Sequence, residues 1–114
     1  MNFKKTNTFE ERLRESQKIM DKYPGRLPII VQKGYNCPLN DINKKKYLVP
    51  KDLNMSQFIY IIRKRVALDK SQSIFLMVSD KLCPSNTPIS TIYEDNKDED
   101  GFLYITYTSE NTFG

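Results

Sequence analysis

The chain has 114 residues, of which 39% are hydrophobic and 28% are charged, and its formal net charge is +4. This size and composition predict a single globular domain, not a disordered chain. No histidine is present, which excludes the usual Ser-His-Asp and Cys-His catalytic arrangements and the commonest metal ligand. We therefore expect no catalytic residue, no metal site and no cofactor.

Two further features of composition limit the possibilities. The apolar runs are short compared with the ~20 residues that cross a bilayer, and the N-terminus has no apolar stretch that would make a secretory signal. Cys37 and Cys83 are each followed by proline. Two thiols in a chain without a secretory signal are expected to stay reduced and free.

The first predicted element is a charged helix. Thr8, with Glu11 three residues later, has the form of a capping box. The helix should run to about Tyr23 and end at Pro24-Gly25. The short segment before it contains Phe3, Lys4 and Lys5, and we expect it to be a frayed end, with contact to an anionic membrane as the alternative.

Four segments follow that predict strands. A loop joins the first two, and helical patterns separate the others. The basic second strand is stopped by Pro50, which is typical of a sheet edge. The third is a continuous apolar run and indicates a central strand buried on both faces. Asn54 and Gln57 predict the start of the main helix. The predicted strands are Leu27–Gln32, Lys46–Val49, Ile74–Val78 and Phe102–Tyr107, and Pro88–Tyr93 is expected to form a short helix.

This order of elements predicts an α+β fold of the β-grasp type. The first two strands form a hairpin, and a helix then crosses one face of the sheet. A right-handed crossover is expected to place the third strand beside the first.

Several motifs carry a family resemblance. They are Lys44–Pro50 (KKKYLVP), Phe58–Arg65, Lys97–Tyr107 and Glu110–Gly114. In these segments, and over about Phe9 to Gly114, the chain resembles the autophagy-related protein 8 family, also called the GABARAP-like modifiers. The resemblance implies a ubiquitin-like β-grasp fold with two N-terminal helices and a four-stranded mixed sheet. The implied divisions are a helical extension over 1–24, the β-grasp domain over 25–108 and a flexible conjugation tail over 109–114.

The resemblance also implies a function for the C-terminus. Gly114 would be the site of conjugation, carried as a thioester by activating and conjugating enzymes and joined to phosphatidylethanolamine on the autophagosome membrane. A cysteine protease would process the chain and release it from the lipid. Because the sequence stops at Gly114, the first processing step is expected to be unnecessary if that glycine is the encoded end. The unconjugated protein is expected to be cytoplasmic, monomeric and not an enzyme.

A second implied function is the recruitment of cargo receptors through short aromatic-x-x-aliphatic peptides. Such a peptide would add to the exposed edge at Lys46–Val49, where Lys46 and Leu48 should face one side and Tyr47 and Val49 the other. Acidic residues that flank the peptide would pair with Arg26, Lys44, Lys46 and Arg65. The implied aromatic pocket comprises Glu15, Ile19, Pro28, Ile30, Lys46, Leu48 and Phe102. The implied aliphatic pocket comprises Tyr47, Val49, Pro50, Leu53, Phe58, Ile61 and Arg65.

The residues alone also allow other interpretations. Ile30, Phe58 and Ile61 have the spacing of ordinary core residues, and a lysine-rich edge also protects against aggregation. The alternative function is that of a non-conjugated peptide-binding adaptor or trafficking protein with the same fold. The basic clusters are offset by an acidic run over residues 94–100, so we expect no nucleic-acid binding.

Two positions depart from the family pattern. Met77 is at a position where the family often has an aromatic residue that pairs with Phe75. In the family, this face of the protein is implicated in contact with the protease. The loop Cys83-Pro84-Ser85-Asn86 replaces a more usual Pro-Pro-Thr sequence.

Overall fold

The computed structural model describes residues 2–35 and 37–109. Four helices and five strands make up an α+β fold with a mixed sheet, which confirms the predicted fold class. Over these ranges, no helix combines the length and the apolar character that crossing a bilayer requires. The elements are α1 (Phe3–Thr6), α2 (Phe9–Lys22), β1 (Arg26–Lys33), β2 (Lys46–Pro50), α3 (Met55–Val66), β3 (Phe75–Val78), β4 (Lys81–Leu82), α4 (Ile89–Asn96) and β5 (Leu103–Thr108).

The order of the strands in the sheet is β2-β1-β5-β3-β4. The last strand, β5, therefore lies beside β1 and runs parallel to it, and β3 pairs antiparallel with β5. The prediction that the strand after the crossover helix lies beside the first strand is wrong. The crossover leaves space for one strand between β1 and β3, and β5 occupies it. This position is favourable because the core-facing side chains of Leu103, Ile105 and Tyr107 become fully buried there.

The two margins of the sheet also differ from one another. Strand β2 is an edge, as its proline and lysines predicted. Strand β3 lies between β5 and β4, but Phe75 and Met77 on its outer face are only half-buried, so the prediction that this strand is buried on both faces is wrong. The fifth strand, β4, was not predicted because its two residues are both exposed and give no pattern. Ser79 and Asp80 form the tight turn before it, with φ of 52° and 63°, as such hairpin turns require.

The two long helices begin where their caps predict. Capping boxes join Thr8 with Glu11 at α2 and Asn54 with Gln57 at α3. Helix α3 packs its apolar side on the inner face of the sheet and closes the main core. Both cysteines are free thiols, as predicted. The α3 residues in this core are Met55, Phe58, Ile62 and Val66.

Helices α1 and α2 cover the outer face of the sheet. Phe3 is 8% exposed and packs with Ile30 and Phe102 in a second, smaller cluster, here called the outer cluster. The Phe3 amide donates to the Gln32 side chain at 3.0 Å, and the Lys4 ammonium lies 2.6 Å from an Asp98 carboxylate oxygen. The prediction of a frayed N-terminal end is therefore wrong, because an aromatic side chain and an ion pair fix this segment.

A polar contact between α2 and the start of β5 holds the helix in place. Asp100 is fully buried and accepts from Arg12 at 2.7 Å, from Tyr104 at 2.5 Å and from the Phe102 amide at 2.9 Å. The Ser16 hydroxyl donates to the Asp100 carbonyl at 2.5 Å. We call Arg12, Ser16, Asp100 and Tyr104 the clamp. It leaves every oxygen of Asp100 hydrogen-bonded, which is what burial of a charged group requires.

Candidate functional site

The edge strand β2 presents alternating faces, as predicted. Tyr47 and Val49 are buried against the core, while Lys46 is exposed and Leu48 is half-buried on the outer side. The Val31 amide donates to the Lys45 carbonyl at 2.8 Å. Since ladder bonds alternate along an antiparallel pair, the backbone groups of Lys46 and Leu48 point away from β1. Among the strands that the structure describes, only β1 pairs with β2, so these groups face the free edge.

An open cleft of about 500 Å³ lies between α2 and this edge. We call it the α2–β2 cleft. Ile19 and Leu48 form its apolar part. The rest of its lining consists of three cationic side chains and one carboxylate. This balance favours a ligand with an apolar group and acidic neighbours. The lining residues are Glu15, Ile19, Arg26, Lys44, Lys46 and Leu48.

The cleft brings together part of the predicted aromatic pocket. Glu15, Ile19, Lys46 and Leu48 are in its lining. Three predicted residues, Pro28, Ile30 and Phe102, are buried instead, the last two at 0% and 1% exposure in the outer cluster. Arg26 and Lys44, which were predicted only as partners for acidic flanks, also line the cleft.

Lys46 closes the inner side of the cleft. Its ammonium lies 2.5 Å from a Glu15 carboxylate oxygen and 5.7 Å from the centre of the Phe3 ring. The Lys46 and Glu15 side chains are 48% and 34% exposed, and such an ion pair contributes only ~0–1 kcal/mol. A ligand can therefore displace Lys46 at little cost in free energy.

Arg26 occupies the free edge itself. Its guanidinium Nη1 donates to the Leu48 carbonyl oxygen at 3.0 Å. That carbonyl is one of the groups that an added strand would use. An incoming backbone amide must therefore replace the Arg26 guanidinium, which becomes available to an acidic group of the ligand.

The residues of the predicted aliphatic pocket pass from core to surface between β2 and α3. Tyr47 and Phe58 are buried, with their rings edge-to-face and centroids 5.8 Å apart. Burial raises the pKa of Tyr47, and the positive charge of Arg65 acts in the opposite direction. The Tyr47 hydroxyl is buried without a hydrogen-bond partner. Of the other members, Val49 is buried, Pro50 and Leu53 are half-buried, and Ile61 and Arg65 are exposed.

Sequence reasoning missed the role of Phe3 in this region. Its ring packs on Phe102 with centroids 5.3 Å apart and lies next to Lys46. The sequence did contain a signal for this packing. An aromatic residue lies in the segment that precedes α2, and Ile30 on β1 faces the opposite side of the sheet from the main core. The predicted conjugation site, Gly114, lies outside the described residues. Ser109, the last residue described, is 5% exposed.

Comparisons with known proteins agree over nearly the whole chain. A protein-family model described as "Autophagy protein Atg8 ubiquitin like" matches residues 11–114. Autophagy-related protein 8e of Arabidopsis thaliana is 53% identical over 112 residues, which cover 98% of this chain and 92% of that protein. Autophagy-related protein 8 of Schizosaccharomyces pombe is 52% identical, with 98% and 93% covered. The crystal structure of Trypanosoma brucei ATG8 superposes with a TM-score of 0.92 at 40% identity and covers 96% of this chain and 95% of that chain.

Proposed function

Because the chain belongs to the Atg8 family of ubiquitin-like autophagy proteins, we propose that it is a modifier conjugated through Gly114 to phosphatidylethanolamine. In this role it acts in autophagosome formation and recruits cargo receptors through aromatic-x-x-aliphatic peptides. The match to the family model extends to residue 114, which supports the choice of Gly114 as the reacting residue.

The proposed chemistry uses the terminal carboxylate of Gly114 as a substrate. An activating enzyme joins it to AMP from ATP and releases pyrophosphate. A cysteine thiolate then displaces AMP to form a thioester, which passes to the thiol of a conjugating enzyme. The amine of the lipid displaces that thiol and forms an amide. Glycine suits this position because the absence of a Cβ lets other groups approach the carbonyl closely.

Conjugation would change where the protein resides. The free form is proposed to be cytoplasmic, and the conjugate to lie on the autophagosome membrane. Each buried methylene contributes about 0.8 kcal/mol, and two acyl chains anchor a protein stably where one does not. A cysteine protease that cleaves the amide would return the protein to solution.

The observation that carries the docking part of the proposal is the α2–β2 cleft next to the free edge of β2. An extended peptide can pair with Lys46 and Leu48 and direct its aromatic side chain to Ile19 and Leu48. The aliphatic side chain, three residues later, would lie between β2 and α3, near Leu53 and Ile61. Arg26 and Lys44 would meet acidic residues that precede the aromatic one.

The expected affinity is modest. Burial of one aromatic and one aliphatic side chain contributes about 1.5–3 kcal/mol each. Association entropy and the displacement of Arg26 and Lys46 reduce the net gain. We therefore expect a micromolar Kd for a short peptide of this kind.

Docking can be tested by titration of a labelled acidic peptide that carries one Trp-x-x-Leu segment. We expect Leu48→Ala to weaken binding roughly tenfold, because the Leu48 side chain forms part of the cleft wall. The matched control is Leu82→Ala, a 53% exposed leucine on β4 at the opposite margin of the sheet, which should bind as the unmodified protein does. Equal affinity of both variants would contradict docking at the cleft.

Conjugation can be tested by reconstitution with the activating and conjugating enzymes, ATP and vesicles that contain phosphatidylethanolamine. Intact mass should show the addition of one lipid to the unmodified protein and none to Gly114→Ala. Lipid addition to Gly114→Ala at the same rate would overturn the proposed site. No lipid addition to either protein, together with normal peptide docking, would favour the alternative of a non-conjugated adaptor.

A further inference from the structure

The loop after β1 places an exposed aromatic side chain beside the end of β5. Tyr35 is 90% exposed, the highest value for a large apolar side chain among the described residues. The preceding residue, Gly34, is fixed to β5. Its amide donates to the Tyr107 carbonyl at 2.8 Å, and a Cβ on Gly34 would lie 3.6 Å from the Thr108 Cβ. The position of Tyr35 is therefore tied to the last two residues of β5.

This end of β5 is also the end from which the chain continues to Gly114. Six residues lead from Thr108 to Gly114, and six residues of fully extended chain span at most about 20 Å. When Gly114 is joined to a lipid, the bilayer surface must lie within that distance of Thr108. The other end of the eight-residue strand β1 is roughly 25 Å from Gly34. Of the two ends of β1, the one that carries Tyr35 is thus the end next to the bilayer.

Two lysines lie beside Tyr35. An open depression of about 490 Å³, which Tyr35 lines, has Lys33, Lys45 and Asp80 as its charged side chains. Two ammonium groups therefore face one carboxylate. Lys33 also lies 3.2 Å from Asp41, whose side chain is 82% exposed, and such an ion pair can exchange partners at little cost. This balance of charge favours the phosphates of lipid head groups. The uncharged residues of the lining are Asn2, Gln32, Gly34, Tyr35 and Thr106.

From this arrangement we propose that Tyr35, Lys33 and Lys45 form a membrane-contact surface, which lies against the phospholipid bilayer once Gly114 has been conjugated. The proposal rests on the conjugation proposed above. A tyrosine suits the boundary between acyl chains and head groups because its ring is apolar and its hydroxyl is polar. The lysines beside it pair with lipid phosphates.

The membrane-contact surface acts only together with the covalent link. One aromatic ring and two lysines bind a bilayer too weakly to hold the free protein there. In the conjugate the same groups are held next to the bilayer at a high effective concentration. Their contact adds a second point of attachment, and it therefore fixes the orientation of the conjugated protein on the membrane.

The test uses tryptophan fluorescence, because the chain contains no tryptophan. Tyr35→Trp introduces a single reporter. The matched control is Tyr23→Trp, since Tyr23 is also an exposed tyrosine with a lysine next to its ring but precedes β1, at the opposite end of that strand. Both variants are conjugated to vesicles of phosphatidylethanolamine, phosphatidylserine and a phosphatidylcholine brominated on its acyl chains. On conjugation, the emission of Tyr35→Trp should move to shorter wavelength and be quenched by bromine, and Tyr23→Trp should show neither change.

The contribution of the lysines is measured with the same reporter. Lys33→Ala, added to Tyr35→Trp, should reduce the quenching by brominated lipid because one contact with phosphate is lost. Lys22→Ala, which removes the lysine beside Tyr23, should leave the quenching of Tyr35→Trp unchanged. Equal quenching in the two double variants would overturn the assignment of Lys33 to the membrane-contact surface.

Intact mass separates failure of this surface from failure of conjugation. If Tyr35→Trp gains the lipid but its emission neither shifts nor is quenched, or if Tyr23→Trp is quenched equally, the membrane-contact surface is wrong and conjugation through Gly114 stands. If neither the unmodified protein nor the two variants gain the lipid, conjugation itself fails and the membrane-contact surface fails with it.

Discussion

Helix α2 contacts its surroundings through two neighbouring stripes of side chains, which differ in burial and in hydrogen bonding. Arg12 and Ser16, one turn apart, contact Asp100 in the clamp, where the carboxylate is fully buried and all its oxygens are bonded. Glu15 and Ile19, also one turn apart, line the α2–β2 cleft, where the ion pair to Lys46 is half-exposed. The first stripe fixes the position of the helix. The second can therefore rearrange around a ligand without loss of the helix.

The largest difference between the stripes should appear when the carboxylate of each is removed. Asp100→Ala leaves the Arg12 charge in a largely buried site without its partner, and loss of one member of a buried pair typically costs about 3–5 kcal/mol. Glu15→Ala removes an exposed pair and should cost under ~1 kcal/mol. Urea unfolding of both variants measures the difference. Losses of similar size would show that the clamp is no more important for stability than the cleft.

A smaller effect is expected from the backbone of the clamp. Gly101 has φ of 88°, and a Cβ at this position would collide with the Ser16 hydroxyl. Gly101→Ala should therefore lower the free energy of unfolding by about 1–3 kcal/mol through backbone strain alone, and by more if Ser16 is displaced.

Gly25 provides the control for that substitution, because nothing lies within 4 Å of a Cβ built there. Gly25→Ala should change the free energy of unfolding by less than ~1 kcal/mol, in the stabilising direction, because the φ of Gly25 is not positive. Thermal melts of the two variants would separate these outcomes. A melting temperature for Gly101→Ala equal to that of the unmodified protein would mean that the clamp tolerates repacking.

The clamp should also weaken at alkaline pH. Burial, together with the hydrogen bond to Asp100, raises the pKa of Tyr104 above its ordinary value near 10. A raised pKa in the folded state means that the stabilising effect is complete below about pH 10 and is lost as the pH rises further. The loss should remain below the limit of about 1.4 kcal/mol per pH unit, because the ring is only partly buried.

The variant Tyr104→Phe isolates this effect. Its free energy of unfolding should fall less steeply above pH 10 than that of the unmodified protein, although it is lower at neutral pH through loss of the hydrogen bond to Asp100. Glu15→Ala, altered in the other stripe, should keep the steeper dependence. Identical slopes in all three proteins would remove Tyr104 as the cause.

The sequence predicts the parts of this molecule whose signals are local. The starts of helices α2 and α3 can be predicted because each has a capping box, in which the N-cap residue, Thr8 or Asn54, pairs with a residue three positions later. The edge position of β2 follows from Pro50 and its lysines. Helix α1 and strand β4 are too short to show a pattern, and they exist because of contacts distant in sequence, such as Phe3 with Phe102.

The functional region shows the same division. Glu15, Ile19, Lys46 and Leu48 could be assigned to one pocket from the family resemblance, and the structure brings them together. The covered state of Ile30 could not be predicted, because it depends on where α1 docks. Asp100 belongs to an acidic run that resembles a solvated surface, and only the packing of α2 shows that it is buried.

The smallest predicted effect concerns a hydroxyl group on strand β2. Unlike the polar groups of the clamp, it is buried without a hydrogen bond. The Tyr47 hydroxyl is buried without a partner, whereas the neighbouring Tyr107 donates to the Asn40 carbonyl at 2.6 Å. Removal of an unpaired buried hydroxyl relieves a desolvation cost, so Tyr47→Phe should change the free energy of unfolding by under ~1 kcal/mol, towards greater stability. Tyr107→Phe removes a hydrogen bond and should be less stable by about 1 kcal/mol. Urea titrations of the two variants measure the difference. If Tyr47→Phe is the less stable of the two, the Tyr47 hydroxyl has a hydrogen-bond partner in solution.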